Sequence, residues 1–301
     1  MPSVIRKLFF YESWAVAWRF LLEEGAPLPC DSDRRTEYSV LQTDSGHWAA
    51  DPFLITSGDK TWLFFEYMPY HSNRASIGCC EMTPQGPGKI REVLKSDGHL
   101  SYPAVFSYGS SYYMVPETLD RHCIALYRSD SFPDSWSLHG VLKDPFNAVD
   151  STPYVSGSGM RLLVYDPDEP AHKLQKLFLC DLDPDKPLLS DPVLLKEYPE
   201  KLGRPAGNLI RLKDGRYIRP TQDCRSLYGG GIRFLDYTED PFSQEETTVG
   251  TLSPEQIGTD LPYSVLGVHT YNRSGRFEVI DVFYRRFSIL KPFRAILRRF
   301  K

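Results

Sequence analysis

Eleven residues carry the side-chain types that chemistry on a hydroxyl-rich ligand requires: the acids Asp51, Glu66, Glu117, Asp150, Asp166 and Asp223, with Arg204, Asn208, Arg219, Gln222 and His269. Two carboxyl groups in unlike surroundings separate into a base and a protonated acid, and reaction at the anomeric carbon of a sugar uses such a pair. Asp51, Glu117 and Asp150 are the catalytic candidates. Asp51 stands before Pro52, whose ring holds the local backbone, and is the candidate base; an aspartate closing a turn at a strand start is the competing reading. Glu117 follows the apolar run Tyr113-Met114-Val115-Pro116, a setting that raises a carboxyl pKa and suits a proton donor. Asp150 precedes Ser151-Thr152-Pro153 and suits a hydroxyl contact or the tuning of a neighbouring acid.

Glu66, Asp166, Arg204, Asn208, Arg219, Gln222, Asp223 and His269 are candidate substrate-binding residues. The guanidinium forks of Arg204 and Arg219 match phosphate or carboxylate, with salt bridging inside the fold as the alternative, and His269 is where a central water or ion would sit. The Cys-x-x-Cys, His-Glu-x-x-His, Gly-x-x-x-x-Gly-Lys and Gly-x-Gly-x-x-Gly signatures are all missing, so no metal or nucleotide cofactor is assigned from motifs. A transfer reaction would still call for an activated sugar donor, such as a nucleotide sugar.

The elements that position these residues form a repeat. Asp51-Pro52-Phe53-Leu54-Ile55 is followed by Phe64-Phe65-Glu66-Tyr67, Tyr102-Pro103-Ala104-Val105-Phe106 by Met114-Val115-Pro116-Glu117, Thr152-Pro153-Tyr154-Val155 by Leu162-Leu163-Val164-Tyr165-Asp166, and Arg204-Pro205 by Tyr217-Ile218-Arg219. The prolines Pro52, Pro103, Pro153 and Pro205 are 51, 50 and 52 residues apart. Glu66, Glu117 and Arg219 fall 14 residues after their proline, and Asp166 falls 13 after its own. Gly267-Val268-His269-Thr270 with Phe277-Glu278-Val279-Ile280-Asp281 is a fifth, degenerate copy. A period near 50 built from short aromatic and β-branched runs predicts an all-β, five-bladed β-propeller, with blades at about 47–94, 101–142, 149–195, 204–252 and 263–285 in one domain spanning 1–301. Inner strands of a propeller face one channel, so the candidates should converge there.

Outside the repeat, Trp14, Val16 and Trp18 alternate along residues 11–20, which predicts a strand that completes the fifth blade. The polar, proline-bearing residues 21–46 read as a lid or rim. Residues 287–301 place Ile289, Leu290, Phe293, Ile296, Leu297 and Phe300 among Lys291, Arg294, Arg298, Arg299 and Lys301, which predicts a short basic amphipathic helix that docks or lies on an anionic membrane. Asp181-Leu182-Asp183 reads as a solvated turn, and Gly229-Gly230-Gly231 as a strand-to-strand turn. A net charge of −4 argues against nucleic acid. Six cysteines without a disulfide-like pattern point to a reducing compartment. The start lacks a secretory pattern, and no run reaches the roughly 20 apolar residues of a membrane span. The expected setting is the cytoplasm, with peripheral membrane contact through 287–301.

The run Ala50-Asp51-Pro52-Phe53-Leu54-Ile55 with Leu63-Phe64-Phe65-Glu66 resembles the opening of the five-bladed family 43 glycoside hydrolases. The fuller set is His99-Leu100-Ser101-Tyr102-Pro103, Met114-Val115-Pro116-Glu117-Thr118, Asp150-Ser151-Thr152-Pro153, Arg204-Pro205-Ala206-Gly207-Asn208 and Arg219-Pro220-Thr221-Gln222-Asp223. It resembles the N-terminal domain of the plant glucosamine inositolphosphorylceramide transferases and the bacterial proteins that share it, over roughly residues 10–286. In the plant proteins a separate glycosyltransferase domain follows the propeller, and these 301 residues carry the propeller without it. The hydrolase resemblance implies Asp51 as general base; Tyr102 stands where an aspartate usually tunes the acid, and Glu117 lies on the second strand of blade two. Together the resemblances imply a carbohydrate-active protein. Glycosyl transfer in surface polysaccharide or glycolipid assembly leads, ahead of glycoside hydrolysis on furanosides or related sugars and of glycan binding without turnover.

Overall fold

In the computed structural model, residues 9–31, 35–157, 159–167, 175–198, 201–237, 246–289 and 291 are described. Their strands form five sheets arranged as a five-bladed propeller. Blade one comprises His47–Ser57, Lys60–Pro69, Ser76–Thr83 and an edge at Arg91–Leu94; blade two comprises Ser101–Tyr108, Ser111–Glu117, Ile124–Ser131 and Ser135–Lys143. Blade three comprises Val149–Ser156, Gly159–Asp166, Gln175–Asp183 and Val193–Tyr198; blade four comprises Ile210–Arg211, Tyr217–Gln222, Ile232–Tyr237 and Thr247–Leu252. Each is an antiparallel meander whose first strand lines the channel.

A blade is buried on both faces, because its neighbours pack against each side. The strand Lys60–Pro69 therefore reads as a nearly continuous apolar run rather than an alternating one. Phe64 points into a cluster shared with Met114 and Trp136 of blade two, while Leu63 and Phe65 point into one shared with Val16 and Phe277 of blade five. Each such aromatic or aliphatic side chain contributes about 1.5–3 kcal/mol by leaving water.

Blade five closes the ring with strands from both ends of the chain. Phe10–Phe20 pairs antiparallel with Phe277–Phe287 along the full 11 residues of each. Thr36–Val40 adds outside it, Ile257–Thr259 lies parallel to that, and Val265–Gly267 with Tyr271–Ser274 faces the channel. The expected strand at 11–20 is thus present, and of the lid or rim expected over 21–46, residues 36–40 instead form a strand. Thr36–Val40 alternates buried and exposed residues strictly, and so builds a strand in spite of its polar neighbourhood. Asp181-Leu182-Asp183 is likewise not a turn, since it ends the strand Gln175–Asp183 with Leu182 inward. The helix expected from residue 287 is not supported. Phe287 ends the last strand opposite Phe10, Ser288 N–H donates to the Phe9 carbonyl, and residues 292–301 lie outside those described.

One carboxylate locks the closure. Glu278, fully buried, accepts from Arg19 Nε at 2.5 Å, Tyr38 Oη at 2.6 Å, Tyr271 Oη at 2.6 Å and Arg273 Nη2 at 2.5 Å. Arg19 and Tyr38 come from the two N-terminal strands, and the others from the C-terminal half. Burial would raise its pKa, but hydrogen bonding to Arg19 and the charge of both guanidiniums outweigh that and lower it. A depressed carboxyl pKa stabilises the fold above the unfolded value and ceases to do so as pH falls through the folded one. Glu278→Ala leaves two guanidiniums unbalanced and is expected to cost about 3–5 kcal/mol in urea denaturation; a loss below about 1 kcal/mol would show that the closure does not depend on it.

Candidate functional site

The inner strands of blades one, two and three each begin with a one-residue bulge. Ala50 faces Glu66 but Phe53 faces Phe64; Ser101 faces Glu117 but Ala104 faces Val115; Val149 faces Tyr165 but Thr152 faces Leu163. The first bulged residues, Asp51, Tyr102 and Asp150, have φ of +49°, +44° and +50°. Such a backbone costs about 1–3 kcal/mol in a residue with a β-carbon, and it turns the N–H out of the ladder, where a buried amide must find another acceptor. A carboxylate of the preceding blade supplies it. Asp51 N–H donates to Asp281 Oδ2 at 3.0 Å, Tyr102 N–H to Asp51 Oδ2 at 3.2 Å, and Asp150 N–H to Glu117 Oε2 at 3.3 Å.

Side chains continue this circuit. Arg204 donates Nε to Asp150 Oδ2 at 2.5 Å and reaches Glu117 Oε2 with Nη2 at 3.4 Å. Gln222 Nε2 donates to Asp150 Oδ2 and to the Pro205 carbonyl, both at 3.0 Å. His269 lies between two acids, with Nδ1 2.6 Å from Asp281 Oδ2 and Nε2 3.3 Å from Asp51 Oδ1. Thr270 Oγ1 donates to Asp51 Oδ1 at 3.0 Å. Trp14 packs on His269 with centroids 4.1 Å apart, and the half-exposed ring of Tyr228 lies 5.3 Å from both His269 and the Arg204 guanidinium.

Five carboxyl groups, Asp51, Glu66, Glu117, Asp150 and Asp281, thus share a buried space with the cations Arg204 and His269. Burial pushes Asp51 up to about 6, with the His269 charge opposing and Asp281 and Asp150 adding. Burial also holds Glu66 well above the carboxylate range, reinforced by Asp51 and Glu117. Glu117 is raised well above it for the same reason, with Asp150 adding and Arg204 opposing. For His269, burial disfavours the charge, but Asp281 and Asp51 outweigh it and raise the pKa. Glu66 stands apart because no amide among the described residues donates to it. Its partner is His99, whose Nε2 lies 3.4 Å away. His99 Nδ1 accepts the Ala75 N–H at 3.2 Å.

The triplet Asp51, His269 and Asp281, with ligand atoms within 4.8 Å of one another, is the place where a metal ion would be sought. A metal needs a deprotonated imidazole nitrogen. Here both ring nitrogens face carboxylates, which fits the imidazolium itself as the central cation.

Of the candidates from sequence, Asp51, Glu66, Glu117, Asp150, Arg204, Gln222 and His269 converge. Asp166 does not share their register: Tyr165 takes the place in blade three that Glu66 and Glu117 hold in theirs, as the 13-residue offset had signalled. Arg219 is buried between blades three and four, bonded to Tyr198 Oη, Glu246 and the Gly203 carbonyl, so it cannot reach a ligand phosphate. Asp223 is held by Arg225 at 2.7 Å, and the Asn208 N–H donates to Asn272 Oδ1. Asp281, Trp14, Tyr228, Thr270 and His99 were not among the site candidates. Asp281 was visible in the fifth repeat copy, and His99 three residues before Tyr102; nothing local marked Trp14 or Tyr228.

A carboxyl whose folded pKa is raised binds its proton more tightly folded than unfolded, so it costs stability as pH climbs above the unfolded value. Glu66→Gln mimics the protonated form. The Tm difference between this variant and wild type is expected to be small near pH 4 and to grow in the variant's favour toward pH 8; a difference independent of pH would refute the raised pKa.

Residues 30–250 match the profile of the family described as glucosamine inositolphosphorylceramide transferase 1, N-terminal. A glucosamine inositolphosphorylceramide transferase 1 from Oryza sativa subsp. indica is 30% identical over 214 residues, covering 68% of this chain and 28% of that protein. The protein of that name from Arabidopsis thaliana is 34% identical over 203 residues, covering 64% and 26%. The chain therefore spans little more than a quarter of these relatives' lengths. Among solved structures, an α-L-arabinofuranosidase from Podospora anserina aligns with TM-score 0.63 at 11% identity over 84% of this chain and 97% of its own. An endo-arabinase from Bacteroides thetaiotaomicron aligns with TM-score 0.57 at 16% identity over 90% and 96%. These likenesses show the fold. The profile match across most of the chain, with the sequence identity to the plant proteins, shows that it belongs to the family of the glucosamine inositolphosphorylceramide transferase N-terminal domain.

Proposed function

We propose that this chain makes or breaks a glycosidic bond at the carboxylate ring, in the building of a glycolipid or surface polysaccharide, with Asp51 as base and Glu66 as proton donor. One observation carries the assignment. Burial raises Asp51 to about 6, with His269 opposing the rise, whereas Glu66, to which no amide among the described residues donates, is held well above the carboxylate range by burial and the neighbouring acids. Two buried acids thereby differ in proton affinity, as general acid–base chemistry requires. The Glu66 proton passes to the departing glycosidic oxygen as that bond breaks, and Asp51 takes the proton of the attacking hydroxyl as the new bond forms. Glu117 and Asp150 hold Arg204 and the bulges in place. The exposed face of Tyr228 offers the aromatic wall common in ligand sites.

The names of the relatives favour an alcohol acceptor, hence transfer. Arg204 and Arg219 are both engaged by protein carboxylates, which favours a glycoside rather than a nucleotide sugar as donor. Hydrolysis, with water as acceptor, is the second reading, favoured by the fold shared with the arabinofuranosidase and the endo-arabinase. A cytoplasmic setting belongs to the same proposal: the six cysteines stand outside disulfides, and burial pushes Cys80 up to about 12 and Cys180 to about 11, keeping both protonated. Among the described residues no helix is long and apolar enough to cross a membrane; peripheral contact through the basic residues after Phe287 stays a proposal.

Nitrophenyl glycosides assayed with and without alcohol acceptors test the reading. Activity is expected to rise with pH through about 6 as Asp51 ionises, and Asp51→Asn and Glu66→Gln should each lower kcat by about 10²–10⁴-fold. Glu117→Gln should act more on KM. Sugar binding without turnover across a broad panel would instead establish a glycan-binding propeller.

A further inference from the structure

A second cleft, of about 800 Å³, opens between blades four and five at the strand ends remote from the carboxylate ring. Its walls are the turn after Ile210–Arg211 in blade four, the turn Ser274–Gly275 in blade five, and the connecting residues 24–28. The volume lies within the range of about 300–1,000 Å³ usual for small-molecule sites. The floor is apolar: Leu28 and Ile218 are buried, and Leu209 and Leu212 are half-buried beside them.

Charge in the lining is unbalanced. Arg216 is neutralised by Asp214 and Asp236, each at 2.8 Å. Arg211 and Lys213, both exposed, have no carboxylate partner among the described residues, and the exposed Glu24 is the acidic group facing them across the cleft. Beneath lies Arg273, with a side chain 9% exposed. Its Nη groups are taken up by Glu278, which it shares with the part-exposed Arg19, and by the carbonyls of Ala26 and Pro27. Arg273 Nε is buried without an acceptor. Two rim cations without a carboxylate partner among the described residues, set above an apolar floor, are complementary to an anionic head joined to an apolar chain.

We propose that this cleft binds an anionic amphiphile, its phosphate or carboxylate head on Arg211 and Lys213 and its apolar portion on Leu28, Leu209, Leu212 and Ile218. The site is independent of the chemistry proposed at the carboxylate ring, and either stands if the other fails. Calorimetric titration of the whole chain with octyl phosphate tests it, with inorganic phosphate as head alone and octyltrimethylammonium as a tail of opposite charge. Octyl phosphate is expected to bind at one site, at least about tenfold tighter than either control. Arg211→Glu with Lys213→Glu should weaken it by at least about tenfold, and the milder pair Arg211→Gln with Lys213→Gln should do so in part should the first pair fail to fold. Sedimentation with phosphatidylcholine vesicles carrying phosphatidic acid separates the two sources. Co-sedimentation abolished by the charge-reversed pair identifies a membrane lipid, and its absence with octyl phosphate bound identifies a soluble amphiphile. No heat with octyl phosphate, equal binding of either control, or unchanged affinity in both variant pairs would overturn the proposal.

Discussion

The bulged amides at the heads of the inner strands, each received by a carboxylate of the preceding blade, are the constraint from which both fold and site follow. A bulge leaves an N–H that its own sheet cannot pair, and Asp51, Tyr102 and Asp150 are all buried. Asp281, Asp51 and Glu117 satisfy the amides of Asp51, Tyr102 and Asp150 in turn, so parting two blades would strand a donor and a charge together. The same geometry draws Asp51 and Glu117 inward, where burial and neighbouring acids disfavour ionisation. The interaction that aligns the blades is thus also the one that perturbs the acids.

Closure of the ring and completion of the site run through one pair of strands. In the register of Phe10–Phe20 against Phe277–Phe287, Arg19 stands opposite Glu278 and Trp14 opposite Phe283. Arg19 reaches the buried Glu278, while Trp14 reaches His269 and covers the imidazolium between Asp51 and Asp281. The N-terminal strand therefore contributes to the central cation as well as to stability. Glu278 and Asp281 lie three residues apart on one strand and hold different things: the first takes up two guanidiniums at the closure, and the second orients the histidine of the ring.

Much of this was legible in the residues. The proline spacing announced four blades, and the degenerate copy around Gly267-Val268-His269-Thr270 the fifth. Together they placed Asp51, Glu66, Glu117 and His269 at one end of the channel. Single offsets were harder to read. Arg219 keeps the 14-residue interval of Glu66 and Glu117, yet it turns between blades to Glu246 and Tyr198. Asp166 misses the register by one residue, which in a strand reverses the face. Thr36–Val40 was hidden because a five-residue alternation is too short to stand out from the prolines and charges around it.

Local pattern by itself determined the repeat, the strand content and the short list of acids, since periodicity and backbone preference act over a few residues. Only the tertiary structure decided which acids share a space and which proton each holds. Asp281 becomes part of the site through a contact 230 residues distant in sequence with the Asp51 amide, and Glu66 is set apart because no amide among the described residues donates to it. A pKa is set by burial and by charges within a few ångströms, and proximity of that kind arises only when the ring is closed.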